Sequence, residues 1–192
     1  MNKPKHLLLT ALIVGLSATA QAQVANGPWS AWNPSFNTQT VGCGSISGST
    51  FSLSCSTASG EQRAERRYET FSTGSKQFQG TVRVNSLGGD RISLQQTFAS
   101  DAWSMIAVKK PGTLYQVRGG QTLASYSIGS TARINAVCYT GSDKVVNYVN
   151  GSLVQTYTGG TGSYYFKLGA YRTSTGQGPV SVTWSGISFY QK

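Results

Sequence analysis

Arg63-Ala64-Glu65-Arg66-Arg67 and Tyr165-Phe166-Lys167-Leu168-Gly169-Ala170-Tyr171 hold the side chains with the most chemical reach in this sequence. Neighbouring side chains of an extended strand point to opposite faces. Arg63, Glu65 and Arg67 then share one face. Tyr165, Lys167 and Tyr171 share another, with Phe166, Leu168 and Ala170 turned to an apolar side. Two such strands offer cations and phenols to water and keep a core behind them. That surface suits an extended anionic ligand, and a phenol can carry a proton. Taken singly, an Arg-Glu-Arg row is most often a solvated ladder of weak ion pairs, and a Tyr/Lys strand is most often half-buried sheet surface. The functional reading rests on their occurring together.

The elements that position these residues are strands. The chain is rich in Gly, Ser, Thr, Tyr and Val, and only 11% of its residues are charged, a composition that favours all-β structure with many turns. Strands are expected at 40–46, 50–56, 63–72, 77–85, 91–98, 103–109, 113–118, 122–127, 131–139, 144–149, 152–158, 163–172 and 180–190. Residues 23–39 read as an irregular lead-in. Asn150-Gly151 is a hairpin signal because both residues tolerate positive φ. No segment shows a capped helical period. Strands at a spacing of about ten residues predict a two-sheet antiparallel sandwich or jelly roll forming one domain over 23–192. In Ile92–Phe98, alternation places Ile92, Leu94, Gln96 and Phe98 together. Gln96 is then either a core-edge amide bonded to backbone or a placed functional amide.

The first 22 residues read as a secretory leader. Lys3, Lys5 and His6 precede the apolar run Leu7–Leu16, and Ala20-Gln21-Ala22 is a small-x-small cleavage signal. The run is shorter than the ~20 residues of a membrane span, so a secreted or periplasmic protein without a membrane anchor is expected. Losing Lys3 and Lys5 takes Lys+Arg from 16 to 14 against 6 Asp+Glu, and net charge from +10 to +8. His6 is the only histidine. A mature chain starting after Ala22 therefore excludes Ser-His-Asp and Cys-His catalysis and the usual histidine-containing zinc sites. No metal or cofactor is expected, since carboxylates are too few for a calcium cage built from them. A structural calcium held by backbone carbonyls stays possible.

Of the three cysteines, Cys43 and Cys55 flank a Gly/Ser-rich stretch that reads as a hairpin and can pair in an oxidising compartment. Cys138 shares a face with Ile134 and Ala136 and reads as a buried free thiol.

Positive charge predicts an acidic partner. The two segments resemble motifs of alginate lyases of polysaccharide lyase family 7. Arg63–Arg67 resembles that family's Arg-x-Glu-Leu-Arg, with Arg66 for Leu. Tyr165–Tyr171 resembles Tyr-Phe-Lys-Ala-Gly-x-Tyr, with Leu168 for Ala. The family's Gln-(Ile/Val)-His has its best counterpart in Gln96-Thr97-Phe98, with phenylalanine for histidine. The alternative register Gln95-Gln96-Thr97 also lacks histidine. That departure makes the related family 20 glucuronan lyases a second comparison.

The resemblance implies a secreted jelly roll with a concave groove that cleaves a 4-linked uronate polymer, alginate or glucuronan, by β-elimination. Arg67 and Gln96 are then expected to neutralise the C5 carboxylate. Arg63 and Arg67 lie about 13 Å apart along a strand and are expected to serve adjacent subsites. Glu65 supports a guanidinium. Lys167 lowers the pKa of a phenol, and Tyr165 completes the binding face. Without histidine, base and acid roles both fall to Tyr171, which suits substrates whose C5 proton and O4 lie on the same side of the ring. A monomer acting on acidic polysaccharide is expected, with neither nucleic acid nor membrane as partner. The main alternative is a non-catalytic, lectin-like module for acidic polysaccharide. A glycoside hydrolase needs two carboxyl groups about 5–9.5 Å apart, and the six acidic residues offer no obvious pair. Scattered basic residues without a motif argue against nucleic acid.

Overall fold

The computed structural model describes residues 27–56, 60–172 and 177–192. The expected leader lies outside them. In chain order the strands are β1 (Ser30–Trp32), β2 (Phe36–Val41), β3 (Gly44–Ser47), β4 (Thr50–Leu53), β5 (Gln62–Tyr68), β6 (Ser75–Leu87), β7 (Arg91–Phe98), β8 (Ala102–Lys109), β9 (Thr113–Gln116), β10 (Thr122–Ser125), β11 (Thr131–Tyr139), β12 (Lys144–Val149), β13 (Ser152–Thr158), β14 (Tyr165–Arg172) and β15 (Val180–Gln191). One sheet runs β13-β12-β11-β6-β15-β4-β3, with β1 added beside β15; the other runs β10-β9-β8-β7-β14-β5-β2. The pairings within both are antiparallel, as in β14 with β5 and β11 with β6. This is the jelly-roll type of sandwich expected from the strand spacing.

Alternation builds the core. Val82 and Val84 of β6, Phe166 and Leu168 of β14, and Val182 and Trp184 of β15 are buried between the sheets with Phe51, Phe78, Ile92 and Ile106. Burying a side chain of this size contributes roughly 1.5–3 kcal/mol. Toward one edge the interior turns polar: Gln116 donates to Ser104 Oγ (3.1 Å) and Gln155 Oε1 (2.8 Å), and Asn147 to Ser104 Oγ (2.8 Å). These bonds offset much of the cost of burying the cluster, although Asn147 Oδ1 is left without a partner.

Two expectations fail near the amino end. Residues 30–32 and 36–39 are strands rather than an irregular lead-in. β1 exists only through long-range pairing, Ser30 opposite Gln191 and Trp32 opposite Phe189. Residues 40–46 are not one strand, because Gly42, at φ 62°, turns the chain between β2 and β3. Cys43 and Cys55 form the expected disulfide, and a closed loop of this length stabilises by roughly 3 kcal/mol.

The face of Gln96 is a further correction. A bulge between Ser93 and Gln95 inserts an extra residue relative to β8. Ile92 and Leu94 stay in the core. Gln95 and Thr97 pair with Leu168 and Phe166, whereas Gln96 and Phe98 pair with Lys167 and Tyr165. The extra residue reverses the phase, so Gln96 and Phe98 emerge on the open face, opposite to Ile92 and Leu94.

Candidate active site

Strand β14 lies between β5 and β7, and register sets which side chains meet. Lys167 is flanked by Arg67 and Gln96, Gly169 faces Glu65, and Tyr171 is flanked by Arg63 and Ser93. Gly169 has φ 147°, and a Cβ there would collide with the Ala64 carbonyl oxygen. Glycine is therefore required.

Glu65 occupies the centre. Its side chain is 2% exposed. Gln96 Nε2 donates to its Oε1 at 2.5 Å. Its Oε2 lies 3.5 Å from Lys167 Nζ and 3.8 Å from Arg63 Nε. The expectation that Glu65 holds a guanidinium is met at Arg63, not at Arg67. One amide hydrogen of Gln96 is engaged by Glu65, which leaves its second donor available.

A pocket of about 180 Å³ opens above these groups, lined by Glu61, Arg63, Gln96, Phe98, Asp101, Ala102, Met105, Lys167 and Tyr171. It is smaller than the roughly 300–1,000 Å³ of a drug-sized ligand site. The Tyr171 side chain is half-buried on its wall, with the Arg63 guanidinium 5.1 Å from its ring centroid. Arg63 also ion-pairs with Glu61, and Asp101 ion-pairs with Arg118. Neither acid is among the site residues expected from the sequence. Glu61 was legible, because 61, 63, 65 and 67 alternate onto one face; Asp101 arrives from the β7–β8 turn and was not.

Arg67 stands apart from Tyr171. Its guanidinium covers the Tyr165 ring at 4.1 Å and reaches Thr70 Oγ1 at 3.3 Å. Tyr165 stacks on Phe98, with centroids 4.9 Å apart and planes 9° from parallel. The structure thus gathers Arg63, Glu65, Gln96, Lys167 and Tyr171, and sets Arg67 and Tyr165 beside Phe98. Arg63, expected to serve an adjacent subsite, lies beside Tyr171, and Arg67, expected at the C5 carboxylate with Gln96, lies over Tyr165. Arg66 turns to the sandwich edge, over Phe51 and Phe36, where Nη2 bonds the Gly48 carbonyl at 2.8 Å.

Burial dominates the electrostatics. It pushes the Glu65 carboxyl up despite Lys167 and Arg63, and it pushes Lys167 down despite Glu65, with Arg63 and Arg67 adding to the effect. Both groups are held near each other because each offsets part of the other's desolvation. Cys138, on β11 and buried in the core, has its thiol pushed up to about 12 by burial, which fits an inert core thiol. Among the described residues, no three His, Cys, Asp or Glu side chains gather as a metal site.

No protein-family model matches the chain, and no curated protein sequence matches it. Solved structures do. Alginate lyase AlgAT5 from polysaccharide lyase family 7 aligns over 74% of this chain and 77% of its own, with TM-score 0.63 and 20% identity. The family 7 alginate lyase AlyA1 from Zobellia galactanivorans aligns over the same shares, with TM-score 0.63 and 19% identity. Alginate lyase AlyC3 in complex with dimannuronate aligns over 73% of each chain, with TM-score 0.54 and 10% identity. At such identities the likeness is one of fold.

Proposed function

We propose that this chain is a polysaccharide lyase that cleaves a 4-linked uronate polymer by β-elimination in the pocket beneath Tyr171. The observation that carries the proposal is the convergence of Arg63, Gln96, Lys167 and Tyr171 on one small opening, around a buried carboxylate that touches three of them. The fold shared with alginate lyases supports it, as does the dimannuronate held by AlyC3.

Arg63 and the second Gln96 donor bind the C5 carboxylate. They drain charge from it and render the C5 proton acidic. Lys167 adds positive potential and is held in place by Glu65. The Tyr171 phenolate removes the C5 proton. The C5–H electron pair becomes the C4–C5 double bond as the C4–O4 bond breaks. The same phenol then returns the proton to O4, so proton and electrons balance without a co-reactant. Arg67, Tyr165 and Phe98 hold a neighbouring sugar by its carboxylate and its apolar face.

The lectin-like alternative draws support from the Glu61–Arg63 ion pair, which occupies the guanidinium that the lyase needs. Ultraviolet absorbance on a panel of uronate polymers separates the readings. A lyase generates a conjugated, absorbing chain end. Binding without any absorbance growth on every polymer supports the lectin.

A further inference from the structure

We propose that the outer face of the sheet opposite the pocket, where β12, β11, β6 and β15 lie side by side, is a second, non-catalytic binding surface for an anionic polysaccharide chain. It goes beyond the lyase reading and does not rest on it. Phe78, Ala136, Cys138 and Val145 point into the core, so the residues between them point out. Register arranges these in rows across the sheet. One row is Tyr190, Gln77, Val137 and Val146, and the next is Ser188, Gln79, Asn135 and Tyr148. Arg133 follows beyond the second row, and Tyr139 with Lys144 beyond the first.

Gln77, Asn135 and Val137 are 0% exposed although they face away from the core. Their half-buried neighbours Tyr139, Tyr148 and Tyr190 are long enough to cover them. Burial, with the Tyr148 phenol close by, pushes the Tyr139 phenol up. Beneath this cover neither amide atom of Gln77 makes a hydrogen bond. Asn135 gives its Nδ2 to Gln79 Oε1 at 3.1 Å and leaves Oδ1 unbonded. Buried amides in this state are costly, and sugar hydroxyls both donate to such groups and accept from them. Tyrosine rings that swing aside offer the apolar side of a sugar a flat surface. Charge selects the sugar. Arg83, Arg133 and Lys144 stand on this face, Lys144 with its Nζ 4.8 Å from the Tyr139 centroid. All six acidic side chains are engaged elsewhere: Glu61, Glu65 and Asp101 at the pocket, Glu69 with Ser35, Asp90 with Arg91 and Asp143 with the Tyr164 hydroxyl. Cations without a carboxylate among them repel a second copy of this face and attract a polyanion. The amides and tyrosines at its centre fit rings that carry hydroxyls; a run of phosphates calls for clustered Lys and Arg. Held there, the protein stays on the polymer while the pocket on the other side is open to another stretch of it.

The test is retardation of the native protein in gels that contain alginate, with Arg133→Glu, Tyr148→Ser and Lys110→Glu compared against the parent chain. All four forms carry Tyr171→Phe, so that the polymer stays whole. Lys110 is exposed beyond the end of β8, outside the pocket lining and outside this face, so Lys110→Glu controls for net charge. Each form is checked for native circular dichroism, and Arg83→Glu, at an exposed position, replaces Arg133→Glu should that variant not fold. The proposal predicts that Arg133→Glu and Tyr148→Ser weaken affinity for the polymer by at least about fivefold. Lys110→Glu should weaken it by less than about twofold, as a distant charge screened by salt does. With Tyr171 restored, absorbance growth on a short uronate oligosaccharide should match the wild type in every variant. Equal weakening by all three variants overturns the proposal, because net charge alone then explains the binding. Unchanged affinity in Arg133→Glu and Tyr148→Ser overturns it too. Tighter retardation of the parent chain by DNA than by alginate, or a solution dimer that the two variants dissociate, gives the face to another occupant and overturns it. Loss of turnover on the oligosaccharide in the face variants also overturns it, since the face then acts through the pocket. Silence of every form in absorbance overturns the lyase reading alone, and the retardation comparison still decides this proposal.

Discussion

Gln96 Nε2 reaches Glu65 Oε1 at 2.5 Å although the two residues belong to strands separated by β14. The contact spans β14 near Gly169, which pairs in register with Glu65. A carboxylate thereby fixes both the amide that meets the substrate and the ammonium beside it.

Replacing Glu65 by Gln keeps the shape but leaves Lys167 buried without its counter-ion. Breaking a buried pair costs roughly 3–5 kcal/mol, so the denaturant midpoint should fall at neutral pH. The folded-state pKa of Lys167 lies below its unfolded value. Between those two values the unfolded chain binds more protons, so stability rises with pH. Without Glu65, burial acts on Lys167 unopposed and the window widens downward. The deficit of Glu65→Gln should therefore shrink as pH is raised toward 10. Urea titrations at neutral and alkaline pH measure it; a deficit that grows with pH contradicts the assignment.

Gly169→Ala should destabilise by at least about 2 kcal/mol, through its strained φ and the collision with the Ala64 carbonyl. Because Gly169 pairs with Glu65, turnover should fall more than the change in stability explains. Thermal unfolding and kcat of the same preparation decide this.

Glu61→Gln releases Arg63 from its ion pair. Under the lyase reading, KM for an anionic polymer should fall several-fold, with kcat unchanged or higher. A rise in KM shows that Glu61 instead holds Arg63 in its working position. Initial rates across polymer concentration distinguish the two.

Cys138 should resist thiol reagents at pH 8 in the folded protein, since burial holds its thiol at about 12. With Cys43 and Cys55 joined, unfolding without reductant should expose one thiol per chain. A colorimetric thiol count before and after denaturation checks both statements.

Much of this was legible in the sequence because strand alternation is a local property. The strand at 131–139 follows from Ala132, Ile134, Ala136 and Cys138 recurring at every second position, and the hairpin of 144–149 with 152–158 from the Asn150-Gly151 turn between them. β1 was not legible, as three residues become a strand only when Gln191 and its neighbours are present. The same limit governs the site. Arg63, Glu65 and Arg67 announce a shared face, but which arginine meets Tyr171 depends on the register between strands a hundred residues apart. The bulge before Gln96 leaves no signal in the pattern, and one extra residue inverts its face. Asp101 reaches the pocket from a turn, where periodicity says nothing about direction.

The central claim is that the Tyr171 phenol moves the proton. Its direct test is ultraviolet absorbance growth for the wild type and Tyr171→Phe on the polymer that the wild type cleaves fastest, with polymer binding measured in parallel by calorimetry. Loss of a positioned acid-base group predicts a fall in kcat of roughly 10²–10⁴-fold, with affinity within about threefold of wild type because Arg63 and Gln96 are untouched. A Tyr171→Phe enzyme that turns over at the wild-type rate contradicts the account.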